Sequence, residues 1–339
     1  MRTEIETLGG QALLIDLSLV GDSDLKADVS KQEVISAGGG NLDELLVKPN
    51  REQSNPFIVT GATKILLELQ EAGKIDAVVT LGGTQGTSTC APILQALPYG
   101  FPKVMLSTAA SGDTSPFVGI KDITMMFAVS DILGLNVFSR KILANAAAAA
   151  WGMAQSEQCI TKSTAKGVIG MSNLGVLTQG AMHAIDLFEK AGYEVITFHA
   201  IGAGGDAMEQ MMKEGIINAV FDYGLGEIAD GVWGVLRAGG PERLTVAGKL
   251  GLPQVIVPGG SEHLGILVSD PIPAPAGHED HQITLPSRHS LHTPPNPHPH
   301  THTQQPPPTH LNLTQNPQDN HQLLPPPPNN KPQTSTPSH

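Results

Sequence analysis

The chain has 339 residues and a net charge of −12, with 32 acidic against 20 basic side chains, and its longest basic cluster is the pair Arg140-Lys141. A phosphate-backbone partner needs a positive footprint, so nucleic-acid binding is disfavoured from the outset. Cys90 and Cys159, the two cysteines, make neither a metal spacing nor a disulfide framework, and neither a leader peptide nor an apolar run of spanning length is visible; the expectation is a cytoplasmic protein with no membrane partner.

Composition divides the chain. Of its 27 prolines and 13 histidines, 18 and 10 lie at or after Pro271, and after Ser290 only Asp319 and Lys331 are charged. Such sequence buries too little apolar surface to offset the entropy of ordering, so residues 285–339 are expected to be disordered. The preceding part is ample for a large core.

Residues 1–10 read as the last turns of a helix ending at Gly9-Gly10, followed by a strand at 12–19. A polar, Gly-rich stretch (22–56) precedes a helix at 57–71, where Ile65, Leu66 and Leu69 recur at helical spacing before Gly73. Strand 76–80, helix 88–97, strand 104–107, strand 123–128 and an Ala-rich helix 139–155 follow. The strands are short and almost continuously apolar, as in a parallel sheet buried on both faces.

After a polar linker the pattern restarts with strand 166–171, helix 176–190, strand 194–199, helix 206–214, strand 216–221, helix 228–236, a connecting helix 241–250 and strand 254–257. This βαβ series predicts two doubly wound α/β lobes with a cleft between them. The expected boundaries are an N-terminal lobe at 1–157, a linker at 158–165, a C-terminal lobe at 166–284 and the tail at 285–339.

In such sheets ligands sit outside the carboxyl ends of the strands. Six polar or Gly-rich loops fall there: 81–88, 107–115, 171–180, 199–208, 222–230 and 258–263. The first is the most informative. Gly82, Gly83 and Gly86 let the backbone approach a ligand closely, and Thr84, Thr87 and Ser88 add hydroxyls. The amides of Thr87, Ser88 and Thr89 are expected to be the free first-turn donors of the helix, a ready anion site. The same loop reads equally as a tight turn whose glycines serve packing alone.

Ser111, Gly112, Gly204 and Gly205 join the candidate cofactor-binding set. No Walker loop and no GxGxxG fingerprint is present, and Asp206 reads as an N-cap. Weak catalytic candidates are His199, Glu227 and His263; a strand-end histidine is a general base, a phosphate donor or a structural residue. Glu227 and Asp230 share one helix face, a spacing that suits Mg²⁺ ligation or simple dipole complementarity. Ser111 and Ser172 lie on no nucleophile elbow.

Taken as a set, the runs LGGTQGTST (81–89), PKVMLSTAASGDTSPFVG (102–119), DITMMFAVSDILGLN (122–136), NAAAAAWGM (145–153), FHAIGAGGDAME (198–209) and AGGPERLTVAGKLGLPQVIVPGG (238–260) resemble the tomato mosaic virus resistance protein-like ATP-binding domain family. The resemblance extends from Ala12 to Thr284. It implies two Rossmann-like lobes and ATP as the anion at Gly82–Ser88, with no settled reaction; since no lysine follows the glycines of that loop, Mg²⁺ or a lysine from elsewhere would neutralise the nucleotide's charge.

There are departures. Members of that family begin with a strand and a GTxDTK-type loop before the first helix, and this chain starts after that loop. It carries DYGLGE where a TTTE-type loop is usual, keeping Glu227 and Ala229-Asp230. After 282–284 the family's last strand, helix and strand give way to low-complexity sequence, as a shifted reading frame or an unspliced intron would produce. The alternative is a natural tail, in which Pro325–Pro328 would present polyproline II to polyproline-recognising modules and His298, His300 and His302 could capture metal. Missing outer strands predict self-association, so a homo-oligomer is expected.

The expected function is therefore nucleotide (ATP) binding with the reaction open. The alternatives are an enzyme acting on a small phosphorylated or carboxylated metabolite, or a non-catalytic regulatory or interaction protein.

Overall fold

The computed structural model describes residues 1–21, 26–156, 165–235, 237–265 and 291–292. The expected linker apart from Ala165, Cys159, and the expected tail apart from Leu291 and His292 lie outside the described residues.

Helix α1 (Arg2–Thr7) precedes a segment that departs from expectation. The apolar run at 12–19 joins no sheet; it makes one parallel bridge, Ile15 to Val29, with the Asp16 amide donating to Val29 O at 3.0 Å. The reason is the brevity of its neighbour. Ser30 already begins helix α2 (Lys31–Ala37) through a reciprocal capping box with Glu33, which stops the pairing at Val29.

Within the polar stretch expected at 22–56, residues 26–56 contain more order than their polarity suggests. They hold α2, α3 (Leu42–Val47) and the start of α4 (Arg51–Glu71), which begins six residues before the expected position because Asn50 caps it. Pro56 lies inside α4 and forfeits one ladder bond without ending the helix. Helices α2 and α4 cross at glycines: a Cβ on Gly61 would fall 1.8 Å from Val34 O. Val34, Ile35, Ile58, Ala62 and Leu66 are buried there with Ile93, Leu94 and Leu97.

The first sheet comprises β1 (Val78–Gly82), β2 (Lys103–Ser107) and β3 (Thr124–Phe127), all parallel, in the order β1-β2-β3. Helix α5 (Thr84–Gln95) follows β1, and α6 (Ser115–Val118) lies between β2 and β3. Central β2 is buried throughout. Helix α7 (Val137–Ala154) lies against the sheet with small side chains, Ala146, Ala147 and Ala150, turned inward.

The second sheet comprises β4 (Val168–Asn173), β5 (Glu194–His199), β6 (Ala219–Gly224) and β7 (Gln254–Gly259), again parallel, in the order β5-β4-β6-β7. Its helices are α8 (Thr178–Lys190), α9 (Ala203–Lys213), α10 (Gly226–Trp233) and α11 (Val246–Leu250). Met208, Met212, Ile217 and Val220 form its core. A short antiparallel pair joins β8 (His263–Leu264) to β9 (Leu291–His292).

The chain is thus an α/β protein with two parallel sheets. The connecting helix expected at 241–250 starts only at Val246. Leu244 has φ +71, which interrupts any helix there, and Arg243 is turned into the interior. The two parts meet through Lys121, whose Nζ lies 2.7 Å from Glu214 Oε1 and 4.0 Å from the centre of the Tyr99 ring.

Candidate functional site

All six loops singled out above lie at carboxyl ends of strands, two on the first sheet and four on the second. Their interiors differ sharply.

At the end of β1 a single residue, Gly83, separates strand from helix and serves as the N-cap of α5. Gly82 makes this junction sterically feasible, since a Cβ there would fall 2.8 Å from Gly86 Cα. Gly83 and Gly86 are less constrained, with nearest contacts of 3.6 Å to Thr108 Oγ1 and 3.7 Å to Leu81 O.

The first intrahelical bond runs from the Thr87 amide to Gly83 O at 2.8 Å, so the amides of Thr84, Gln85 and Gly86 precede the ladder. This corrects the expected donor set of Thr87, Ser88 and Thr89. The helix begins four residues earlier than its polarity suggested, because Gly82 lets the strand run straight into it.

The hydroxyls of this loop are largely turned to the scaffold. Thr87 Oγ1 lies 2.9 Å from Gly83 O and 2.6 Å from Ser107 Oγ, and both side chains are buried. Ser88 Oγ donates to Thr84 O at 2.9 Å and Thr89 Oγ1 to Asn55 Oδ1 at 2.6 Å. Ser107 Oγ in turn accepts from the Ala109 amide at 2.9 Å, which ties the β2 loop to the β1 loop. Farther out, Ser111 and Gly112 are exposed, with open space where a Gly112 Cβ would be. The Asp113 carboxylate beside them is held below its usual range by the Ser115 hydroxyl and amide.

Sequence reasoning missed one residue here. Arg51, the first residue of α4, donates from Nη1 to Gln85 Oε1 at 2.8 Å, which holds a guanidinium beside the first turn of α5. The pair is separated by 34 residues, and no local pattern announces it.

The second sheet's loops enclose a buried ionic cluster. Arg243 lies 2.7 Å through Nη1 from Asp222 Oδ2, bonds the other Asp222 oxygen through Nη2, and donates from Nε to Glu227. Glu209 approaches the same guanidinium at 3.8 Å. Each carboxylate has further donors: Ser172 Oγ at 2.7 Å and Gln254 Nε2 at 3.0 Å on Asp222, the Gly202 amide at 2.8 Å on Glu227, and the Leu244 amide at 2.7 Å on Glu209.

Three carboxylates thus share one cation away from water. Burial pushes the Glu209 carboxyl up to about 7, against the pull of Arg243, and drives Glu227 upward as well. Burial alone would lower Arg243, but its hydrogen bonds to Asp222 and the surrounding negative charge hold it above its ordinary value.

Gly204 and Gly205 belong to this packing. A Cβ on Gly205 would fall 2.1 Å from Glu227 Oε1 and 2.5 Å from Arg243 Nε, and one on Gly204 would fall 1.9 Å from His199 O. Glu227 therefore sits at the N-terminus of α9, where its charge complements the helix dipole. Asp206, read as an N-cap, lies instead within the first turn of α9. The cap is Gly202, at φ +84, and the Asp206 carboxylate accepts from the Gly240 amide at 2.9 Å. A position of positive φ selects glycine over aspartate.

His199 is exposed at the end of β5, with Nδ1 3.4 Å from Asn173 O, and among the described residues it has no carboxylate partner. Asp230 is held by Arg237 Nε at 2.8 Å and the Gly265 amide at 2.9 Å, so Glu227 and Asp230 bond different arginines. For His263 the structure describes the backbone, paired with His292. Among the described residues no group of three or more His, Cys, Asp or Glu could hold a metal ion, and no helix is long and apolar enough to cross a membrane.

Residues 1–159 match the model for the N-terminal domain of an uncharacterised protein family (UPF0261), and residues 166–284 match its C-terminal domain. A UPF0261 protein of Clostridium tetani is 42% identical over 255 residues, covering 75% of this chain and 63% of its own length. The UPF0261 protein BRA1168/BS1330_II1159 of Brucella suis is 32% identical over 261 residues, 76% of this chain and 62% of that protein. The ToMV resistance protein Tm-1(GCR237) of Solanum lycopersicum is 37% identical over 185 residues, 53% of this chain and 24% of that protein. The chain thus spans less than two thirds of the length of these relatives.

Proposed function

The chain belongs to the uncharacterised protein family UPF0261, and from that premise and the geometry at Thr84 we propose that it is a cytoplasmic nucleotide-binding protein, with ATP as its ligand. In this proposal the two parallel sheets are Rossmann-like lobes facing a common cleft, and the phosphates rest on the start of α5. Magnesium enters with the nucleotide, not on a preformed carboxylate cage.

One observation carries the proposal. The amides of Thr84, Gln85 and Gly86 precede the helix ladder, and the Arg51 guanidinium bonds the side chain of Gln85, in the same first turn, at 2.8 Å. A helix start offers donors and a positive dipole end, and a planar guanidinium suits phosphate oxygens. Glycine at 83 and 86 adds no side chain of its own on either side of Thr84 and Gln85.

Thermal melting with ATP and Mg²⁺ tests the proposal, because a ligand bound only to the native state must stabilise it. ATP should raise the melting temperature, and Gly83→Val and Arg51→Ala should each reduce that shift. No shift at millimolar ATP, or a shift that both variants leave intact, rejects it. Stabilisation by inorganic phosphate or a small phosphorylated metabolite without preference for ATP would move the assignment to a metabolite enzyme.

A further inference from the structure

The connection between β3 and α7 presents an apolar ridge to solvent. Leu133 is 83% exposed, Leu135 62%, Val137 90% and Phe138 45%, and Val129 beside them is 63% exposed. These side chains stand on a fixed backbone. Asn136 and Ser139 form a reciprocal capping box at 2.9 Å in each direction, and the Asp131 carboxylate accepts from the Ile132 amide at 2.8 Å. Ile132 packs from below against the cluster of Leu106, Ala128 and Ala146. Val129, a β-branched residue, is kept at φ +63, a costly conformation that persists only where its surroundings impose it.

Charge is distributed unevenly around the ridge. The molecule carries −12, yet 132–139 contains no charged residue, and opposite charges stand at its ends, Asp131 and Arg140, both exposed. Among the described residues Arg140 has no ion-pair partner. A strongly acidic chain repels its own copy over most of its surface, and least at a neutral face. A two-fold contact requires a self-complementary patch, in which residue i meets j while j meets i. An apolar centre with one acid and one base at its ends has that pattern.

We propose that this ridge is the face of a two-fold dimer of the chain. The two ridges lie antiparallel, with Leu133, Leu135, Val137 and Phe138 apposed at the centre and Asp131 of each copy against the partner's Arg140. The proposal is independent of nucleotide binding.

Sedimentation velocity of the full chain over a wide concentration range tests it. The expected result is a concentration-dependent dimer that Leu133→Asp with Val137→Asp converts to a monomer, with far-ultraviolet circular dichroism and melting unchanged. Asp131→Arg alone sets like charges against each other twice and should weaken the dimer by about tenfold or more. Adding Arg140→Asp to that variant should restore it. A monomer at every concentration overturns the proposal, as does an oligomer that survives the double aspartate substitution. Failure of the charge exchange to restore dimerisation overturns the antiparallel pairing.

Discussion

Helices α5 and α9 both follow a parallel strand through a Gly-rich junction, and their starts have opposite fates. At α5 the first-turn amides of Thr84, Gln85 and Gly86 have no carboxylate bonded to them among the described residues, and Arg51 bonds the Gln85 side chain of the same turn. At α9 the Gly202 amide already holds the Glu227 carboxylate at 2.8 Å, and Gly205 is packed on Glu227 and Arg243. A helix start is an anion site in either case. At α9 the protein supplies the anion, and at α5 the proposal assigns that place to a ligand.

The largest effect that could break this comparison is at Arg243. Arg243→Ala leaves Asp222, Glu227 and Glu209 buried without their cation, and it should cost about 3–5 kcal/mol in a urea titration. A loss below about 1 kcal/mol would mean that the carboxylates carry no charge in the native state.

The glycines come next. Gly205→Ala forces a Cβ into Glu227 and Arg243, so about 1–3 kcal/mol should be lost. Gly83→Ala meets only Thr108 Oγ1 at 3.6 Å, and stability should change by less than about 0.5 kcal/mol. Equal losses at both positions would show that the two junctions are packed alike.

A pH series sharpens the contrast further. The Glu209 carboxyl is raised to about 7 in the fold, above its value of 4.5 when unfolded. Its favourable contribution is therefore present below the unfolded value and is lost as pH rises through about 7. Relative to Glu209→Gln, the wild-type chain should lose stability on the order of 2 kcal/mol across that window. Parallel pH profiles for the two proteins would place Glu209 in contact with water.

The smallest effect on stability is expected at the open junction. Arg51→Ala should change the unfolding free energy by less than about 0.5 kcal/mol, while weakening ATP by about tenfold, measured by calorimetry. A variant that binds ATP as the wild type does would remove Arg51 from the site.

Much of the architecture was readable along the chain because its signals are local. Short apolar runs such as Val104–Leu106 and Val168–Met171, bounded by turn residues, read as strands of a sheet covered on both faces, and alternation with helices pointed to parallel order. Where local signals competed, the reading slipped. Pro56 concealed the start of α4, and the hydroxyls after Gly83 looked like a loop although they lie in α5. The run at 12–19 has the composition of a strand, but a strand exists only with a neighbour, and residues 28 and 29 provide one bridge.

By itself, then, the sequence determined the α/β class, the two parallel sheets and the placement of Gly-rich loops at strand ends, because periodicity and turn chemistry are properties of adjacent residues. Tertiary structure alone decided which helix start holds a carboxylate of the protein. Arg51 reaches Gln85 across 34 positions and Arg243 reaches Asp222 across 21. The charge that meets a helix start is set by folding distant segments together, and no spacing along the chain records it.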